Sequence, residues 1–217
     1  MTNKKCGKLI EENIKKTISK LYELDFIRDQ NDIMYESGSN NELKLSYKRT
    51  FGSINYLYDN NINYSTLIDK ILEQRDYTLL LYDKSIIQYE FIIKNGEIIK
   101  ERLLFIKKHN KIWPKNELNK FDGDDEDWFN DNLGFPIVIR IDYDSINAQP
   151  VIHPDVHLTL SNHESCRIPV KSIMQVSEFI QFILFNFYNQ QIQIERDYAL
   201  PNTIKREEKR MIHINWE

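Results

Sequence analysis

Two neighbouring segments of the chain alternate apolar side chains with side chains that can do chemistry. Within residues 136–144 and 153–160 the polar positions are Arg140, Asp142, Asp144, His153, Asp155, His157 and Thr159. Successive side chains of a strand point to opposite faces, and opposed side chains on paired strands come within about 5 Å. If the two segments pair, these groups lie together on one face of a sheet.

The groups on this face suit acid–base chemistry. An imidazole beside a carboxylate can serve as a general base, since the carboxylate fixes the tautomer of the ring. The predicted catalytic residues are therefore His153, His157, Arg140 and Asp142. Together they indicate a nuclease-like site that needs no metal. The alternative interpretation is the solvated face of an antiparallel sheet, on which polar alternation is expected.

Two further residues are predicted to bind the substrate, Arg167 and Thr159. A guanidinium can hold a phosphate through two parallel hydrogen bonds, and Arg140 offers the same contact. Thr159 belongs to the polar positions of the second segment and carries a hydroxyl group. The expected substrate of this face is therefore anionic.

A metal site is the alternative chemistry. The ligand types that zinc uses occur at His153, His157, Asp144, Asp155, His163 and Cys166. A second set, Asp32, Glu42 and Lys44, follows the order used by metal-dependent nucleases, in which two carboxylates hold Mg²⁺ and a lysine orients water or phosphate. The zinc-type ligands lack a recognised spacing, and E-x-K triplets such as that of Glu42 and Lys44 are common in a chain rich in Lys and Glu. We predict no bound metal, with Mg²⁺ or Zn²⁺ as the alternative.

The elements that must position these residues can be read from periodicity. Apolar residues at helical spacing predict helices over 5–24, 64–75 and 174–190. Strand patterns predict a hairpin over 31–49, a meander from 77–82, 86–93 and 98–105, a short segment at 166–170 and a last strand at 211–214. Asn95-Gly96 suits the tight turn of the meander, because both residue types tolerate a positive φ.

These elements predict an α+β fold. It consists of a single antiparallel sheet, built from the meander and the C-terminal strands and packed by about three helices. Residues 1–217 suit one domain, and sub-structures over 1–106 and 107–217 are the alternative. The sequence between 107 and 135 is the least regular and contains an acidic run, 122–127. We expect a solvated loop there, with the binding of a partner's basic patch as the alternative.

Composition limits the class of protein. The formal net charge is −4, which lacks the basic surplus of a free-standing nucleic-acid binder, although a local basic patch can still bind nucleic acid. The two cysteines, Cys6 and Cys166, form no disulfide framework and are typical of a reducing cytoplasm. Neither a signal peptide nor a bilayer-length apolar run is visible, so we expect a cytoplasmic protein without a membrane contact.

Several spaced segments resemble one bacterial family. They are His153-Pro154-x-x-His157-Leu158-Thr159-Leu160, Cys166-Arg167-Ile168-Pro169-Val170 and the aromatic segment 179–188. On these the chain is similar to domain-of-unknown-function family 2290. The resemblance implies a bacterial intracellular protein, and proteins of this kind are associated with mobile elements and phage-defence gene clusters. It brings no established activity and no catalytic residues.

Two functions from different classes follow. The preferred expectation is a non-catalytic interaction subunit of a bacterial phage-defence or toxin–antitoxin-like system, with a protein partner encoded nearby. The helix over 174–190 is apolar nearly all round, so it belongs either in the core or in an interface, including one between identical copies. The alternative is a nuclease-like effector that binds nucleic acid on the sheet face formed by residues 140–159.

Overall fold

A computed structural model describes residues 1–47, 64–107, 137–160, 166–194, 197, 205 and 207–210. The helices are α1 (Asn3–Glu23), α2 (Tyr64–Glu73) and α3 (Val176–Tyr188), with a short 3-10 turn at Glu208–Arg210. The strands are β1 (Ile27–Gln30), β2 (Ile33–Ser37), β3 (Glu42–Tyr47), β4 (Leu79–Leu81), β5 (Ile86–Lys94), β6 (Glu97–Lys107), β7 (Ile137–Asp144), β8 (Val156–Leu160) and β9 (Ile168–Pro169). The predicted α+β class, with three helices and one antiparallel sheet, is confirmed.

Within the described ranges the sheet has nine strands in one hydrogen-bonded network, and all of their pairings are antiparallel. Its main order is β1-β4-β5-β6-β7-β8-β9, and the β2–β3 hairpin joins β5 beside β4. β4 pairs with the start of β5, at Ile86 and Ile87, whereas β3 pairs with its second half, from Phe91 to Lys94. The long strands β5, β6 and β7 therefore form the centre of the sheet.

The predicted meander is confirmed, including its turn. Asn95 and Gly96, with φ values of 55° and 78°, connect β5 and β6. Positive φ at both central residues is the geometry of a tight hairpin turn whose twist matches that of the strands. β6 then pairs along its length with β7, so the sheet continues across the boundary proposed between 1–106 and 107–217. The single-domain assignment itself stays a prediction.

Helices α1 and α3 pack on one face of the sheet, and α2 packs on one end of the other face. α1 and α3 pack on the first face through residues such as Ile10, Ile14, Phe179 and Ile183, all at most 1% exposed, around Phe105 of β6. On the second face α2 packs over apolar side chains of four strands, Leu80, Ile86, Leu104, Ile106 and Val138. The remainder of this second face carries the polar side chains of β5 to β8.

The aromatic helix α3 is a core element in the described part of the protein. Its buried side chains are Val176, Ser177, Phe179, Ile180, Ile183, Leu184 and Tyr188, while Phe185 stays 54% exposed. Asn13 of α1 fixes its first turn. The Asn13 side chain donates to Gln175 and Ser177 at 3.0 Å and accepts from the Ser177 backbone N–H at 3.1 Å.

A buried ion pair joins the far end of the sheet to α3. Lys107 Nζ lies 2.8 Å from Asp83 Oδ2, and the two side chains are 1% and 2% exposed. The Tyr188 hydroxyl donates to the same carboxylate oxygen at 2.8 Å, and the Ser85 backbone N–H donates to the other at 2.9 Å. The ammonium also lies 4.5 Å from the centre of the Tyr188 ring.

Several expectations fall outside the described residues: the acidic run 122–127, His163 and the strand at 211–214. One strand, β1, was not predicted, because it has four residues of which the last three are all polar, so no alternation is visible. Within the described part of the chain, no helix is long and apolar enough to cross a bilayer.

Candidate functional site

The two patterned segments pair as predicted. In the β7–β8 ladder Asp142 lies opposite His157, and Arg140 lies opposite Thr159. On its other side β7 pairs with β6, which places Arg102 opposite Asp142, and β5 in turn places Glu90 opposite Arg102. One row of side chains thus crosses four strands on the face that α2 leaves open.

Asp142 is the centre of this row. Its Oδ1 accepts a hydrogen bond from Arg102 Nε at 3.0 Å, and its Oδ2 accepts one from Arg140 Nε. Hydrogen bonds between two charged groups are stronger than neutral ones, so the three side chains hold one another in place. Exposure rises outward, from 11% for the Arg140 side chain to 35% for that of Arg102.

His157 lies at the floor of the site and is only 3% exposed. Its Nδ1 lies 3.1 Å from the Pro154 carbonyl oxygen. Because a carbonyl only accepts, this contact assigns the ring proton to Nδ1 and leaves Nε2 as the acceptor of the neutral ring. Nε2 lies 3.9 Å from Asp142 Oδ2, which is too long for a hydrogen bond.

The protonation of His157 follows from its surroundings. Burial lowers the pKa of this imidazole, and the neighbouring His153 and Arg167 lower it further. Asp142 and the Pro154 carbonyl oppose the shift without cancelling it. The ring is therefore neutral at neutral pH and presents one nitrogen lone pair, at Nε2, to a proton donor.

His153 reaches the site by a different route from the one predicted. The alternation of the sequence suggested that it starts the second strand, but β8 begins at Val156. A pair of backbone hydrogen bonds of 2.8 and 2.7 Å between Gln149 and His153 instead closes a tight turn. Within that turn Val151 adopts a φ of 73°, a conformation that is rare for a β-branched residue.

The turn places the two imidazole rings side by side. The ring centres of His153 and His157 are 4.9 Å apart, with an edge-on arrangement at 67°. His153 Nδ1 is buried and has no hydrogen-bond partner among the residues that the structure describes. The predicted proximity of the two histidines is thus present, although only His157 belongs to a strand.

The two predicted substrate-binding residues differ in position. Arg167 lies just before β9, next to the point where Pro169 pairs with His157, and it lines the cleft described below. Within the described ranges Arg167 forms no ion pair and no hydrogen bond. Thr159 is 1% exposed, and its hydroxyl is buried without a described partner. It lies opposite Arg140 and does not line the cleft.

The open part of the second face forms a cleft of about 460 Å³. Its lining residues are Glu90, Ile92, Lys100, Glu101, Arg102, Arg140, Asp142, Tyr143, Asp144, His153, His157 and Arg167. This volume lies in the range of small-molecule sites. Five of the six predicted site residues line it, and Thr159 is the exception. Sequence reasoning missed Arg102 and Glu90, although alternation along β5 and β6 already put them on one face.

The zinc-type ligand set does not assemble in the described residues. Asp144 pairs with Lys100 at 2.9 Å and accepts backbone N–H groups from Ile146 and Asn147. Asp155 pairs with Lys205 at 2.9 Å. No group of three His, Cys, Asp or Glu side chains suited to a metal ion is found in the described part of the chain.

The magnesium-type set is separated by the geometry of its hairpin. Ile33 pairs with Tyr47 and Ser37 with Leu43, so Asp32 and Glu42 lie at opposite ends of the β2–β3 ladder, roughly 20 Å apart. Glu42 instead pairs with Lys94 at 3.1 Å, and Lys44 pairs with Glu90 at 2.9 Å. The sequence order of these residues was therefore not a sign of a shared site.

Comparison with known proteins identifies a family. The model of the family described as "Uncharacterized conserved protein (DUF2290)" matches residues 26–216. The chain belongs to the DUF2290 family. Curated proteins and solved structures gave no match. The DUF2290 match covers every strand of the sheet, α2 and α3, and thus all of the residues that line the cleft.

Proposed function

We propose that the cleft binds a phosphodiester and that His157 accepts a proton there, which makes the protein a nuclease-like effector. The observation that carries the proposal is the position of a neutral imidazole, with its Nε2 lone pair available, among the guanidinium groups of Arg102, Arg140 and Arg167. A base and several bidentate anion-binding groups are the two parts that phosphoryl chemistry needs.

Burial argues against an ordinary solvated sheet face. Asp142 and His157 are 9% and 3% exposed although none of the helices that the structure describes packs on this end of the sheet. Burying charged groups costs free energy that a solvated face would avoid. The fold keeps these groups inward-facing around a cleft, and that arrangement is expected where a site is preorganised for a ligand.

The arginines of the cleft favour an anion. Three guanidinium groups, those of Arg102, Arg140 and Arg167, line it, and the Asp142 carboxylate pairs with the first two. The other carboxyl groups of the lining are Glu90, Glu101 and Asp144, of which Glu90 and Asp144 pair with lysines, and burial raises the pKa of Glu101. Arg167 has no carboxylate partner within the described ranges, and its positive charge reaches His157. A phosphodiester bound beside Arg167 would supply that partner. Binding through such contacts weakens as salt is raised.

Asp142 gives His157 a role beyond binding. When Nε2 takes up a proton, the ring becomes positive, and the carboxylate 3.9 Å away stabilises that charge. The Nδ1 contact with Pro154 keeps the ring oriented in both states. The Pro154 carbonyl therefore orients the base, and the Asp142 carboxylate stabilises its protonated form. General base catalysis contributes about 10²–10⁴-fold to a reaction rate.

The test uses 5′-labelled single-stranded RNA and DNA oligonucleotides with the full chain. Fluorescence anisotropy measures binding at low and raised salt, and denaturing gels measure cleavage. We expect Arg167→Gln to weaken binding at least tenfold and His157→Gln to abolish cleavage. Arg28→Gln, which removes an exposed arginine of β1, is the matched control and should change neither. If the protein neither binds nor cleaves either oligonucleotide, or if the control is as damaging as Arg167→Gln, the proposal fails.

A second candidate function is the interaction subunit of a defence-type assembly. The connection between β7 and β8 favours it, because three apolar side chains stand exposed beside the cleft: Ile146 at 60%, Val151 at 44% and Ile152 at 70%. Apolar residues clustered in this way mark contact surfaces. On this proposal the product of an adjacent gene co-purifies with the protein, and Ile152→Ser abolishes co-purification. Phe185→Ser, on the opposite face, is the control and should leave it intact.

A further inference from the structure

We infer that the cleft acts on RNA, with the 2′-hydroxyl of the substrate as the nucleophile. The inference rests on the proposed nuclease-like function and adds the substrate class. The described lining residues supply a proton acceptor and cations, but they include no serine, threonine or cysteine.

The single hydroxyl among the described lining residues is that of Tyr143, and it is poorly suited to attack phosphorus. Tyr143 lies opposite Val156 in the β7–β8 ladder. It therefore alternates with Asp142 and points to the face on which α1 and α3 pack. Burial raises the pKa of its phenol, which keeps the oxygen protonated. The described cleft therefore offers no hydroxyl or thiol side chain suited to attack phosphorus, and in this inference the imidazole of His157 is used as the proton acceptor.

An attacking group held by the substrate itself solves this problem. In RNA the 2′-hydroxyl is next to the phosphate that it attacks, and intramolecular reactions of this kind gain effective molarities of about 10⁵–10⁸ M over a separate water molecule. DNA lacks this hydroxyl. The one group that the cleft must then supply is a base, and the neutral imidazole of His157, which lines the cleft, is assigned this role.

The reaction balances with these groups alone. His157 Nε2 takes the proton of the 2′-hydroxyl, the 2′ oxygen forms a bond to phosphorus, and the bond from phosphorus to the 5′ oxygen breaks. The 5′ oxygen takes a proton from water, and the protonated His157 returns its proton to the hydroxide so formed. The products are a 2′,3′-cyclic phosphate and a free 5′-hydroxyl, without net consumption of water.

The arginines have matching roles in this step. The phosphorus centre gains negative charge as the 2′ oxygen attacks, and guanidinium groups preorganised near it stabilise that charge. Arg102 and Arg140 are held in place by Asp142, whereas Arg167 approaches from the β9 side of the cleft. Asp142 acts as a positioning residue, because it holds both arginines and stabilises the protonated state of His157.

The decisive experiment uses an oligodeoxynucleotide with a single ribonucleotide. We expect one cut, directly 3′ of the ribonucleotide, and a 2′,3′-cyclic phosphate on the product, identified by mass spectrometry. An all-deoxy oligonucleotide and one with a 2′-O-methyl group at that position should bind but remain uncut. His157→Gln should lower the rate at least 100-fold while its binding to the 2′-O-methyl oligonucleotide and its thermal midpoint stay near those of the unmodified protein.

The Asp142→Asn variant adds a readout that a merely structural role would not move. Asp142 raises the pKa of His157, so its removal should shift the acidic limb of the pH–rate profile to lower pH. Arg28→Gln should leave both rate and profile unchanged.

The outcomes separate the two proposals. Cleavage of the all-deoxy oligonucleotide, or RNA products with a 3′-hydroxyl, would overturn the RNA inference and leave the nuclease-like function standing. Binding of RNA without cleavage would also overturn the inference, since only the anion-binding part of the proposed function would survive. Absence of both binding and cleavage would overturn both.

Discussion

Replacing Lys107 by methionine should destabilise the protein more than any single charge removal on its surface. The Lys107 ammonium and the Asp83 carboxylate are 2.8 Å apart and at most 2% exposed. Methionine keeps most of the side-chain volume but leaves the Asp83 charge in the interior, where the Ser85 N–H and the Tyr188 hydroxyl are neutral donors. Removing one member of a buried ion pair costs about 3–5 kcal/mol, because the other charge is left uncompensated.

We also expect the free energy of unfolding lost in Lys107→Met to depend on pH. Burial by itself would raise the pKa of Asp83, but the ammonium of Lys107 and the hydrogen bonds to the carboxylate hold it below the ordinary value of 3.8. In the unmodified protein the group therefore contributes stability above pH 3.8, and this contribution is lost as the pH falls below that value. In Lys107→Met burial is no longer opposed by the ammonium, so Asp83 is destabilising when ionised. The loss should thus shrink as the pH is lowered towards 4.

Urea unfolding followed by circular dichroism between pH 4 and pH 8 measures both effects. For a chain of this length 3–5 kcal/mol corresponds to a drop of roughly 6–20 °C in the thermal midpoint. Lys20→Met is the matched control, since Lys20 pairs with Glu23 at 2.7 Å but both side chains are more than 40% exposed. Exposed pairs contribute about 0–1 kcal/mol.

The double variant Lys107→Met with Asp83→Asn completes the experiment. Because the asparagine carries no charge, the double variant should recover part of the stability that Lys107→Met loses. The reasoning is refuted if Lys107→Met costs no more than Lys20→Met at pH 7, or if its cost is the same at pH 4 and pH 8.

Two further substitutions test other buried polar groups. Glu101 is 3% exposed, and burial raises its pKa well above 4.5, helped by Glu178 and Asp142, so ionisation opposes folding. Glu101→Gln should therefore be more stable than the unmodified protein above pH 4.5, by a margin that grows by up to about 1.4 kcal/mol per pH unit and vanishes in acid. A stability margin that is independent of pH in urea unfolding would contradict this. Asn13→Ala should cost about 2–4 kcal/mol in thermal unfolding, because the Ser177 N–H and its neighbours lose their partner, and the same change at the exposed Glu12 should cost less than 1 kcal/mol.

Periodicity located the elements well because it reports local burial. The predicted helix over 5–24 is α1 at Asn3–Glu23, and the one over 174–190 is α3 at Val176–Tyr188. Both helices bury a continuous stripe of apolar residues on the sheet, which is the physical origin of the pattern. The pairing of β7 with β8 was predictable for the same reason, since both segments alternate polar and apolar residues and follow one another along the chain.

Contacts between distant parts of the chain could not be predicted in this way. Arg102 meets Asp142 because β6 pairs with β7 across the segment 108–136, and no local pattern encodes that register. The same holds for Lys107 and Asp83, which are brought together by the pairing of β4, β5 and β6. The alternation of polar and apolar residues also led to a wrong position for His153, which was expected in a strand. A turn closed by backbone hydrogen bonds can show the same alternation without pairing as a strand.

The open face of the sheet explains why core and cleft depend on the same register. On β6 the side chains of Leu104 and Ile106 pack under α2, and Arg102, two residues before Leu104, lies in the cleft. If β6 shifted by one residue against β7, Arg102 would move to the face on which α1 and α3 pack. The same shift would take an apolar residue of β6 out of the core under α2. The hydrophobic free energy that fixes the core therefore also fixes the distance from Arg102 to Asp142. A site built in this way needs no flexible loop to bring its cations to the carboxylate, and only the turn that contains His153 and the segment before β9 that contains Arg167 remain to be positioned separately.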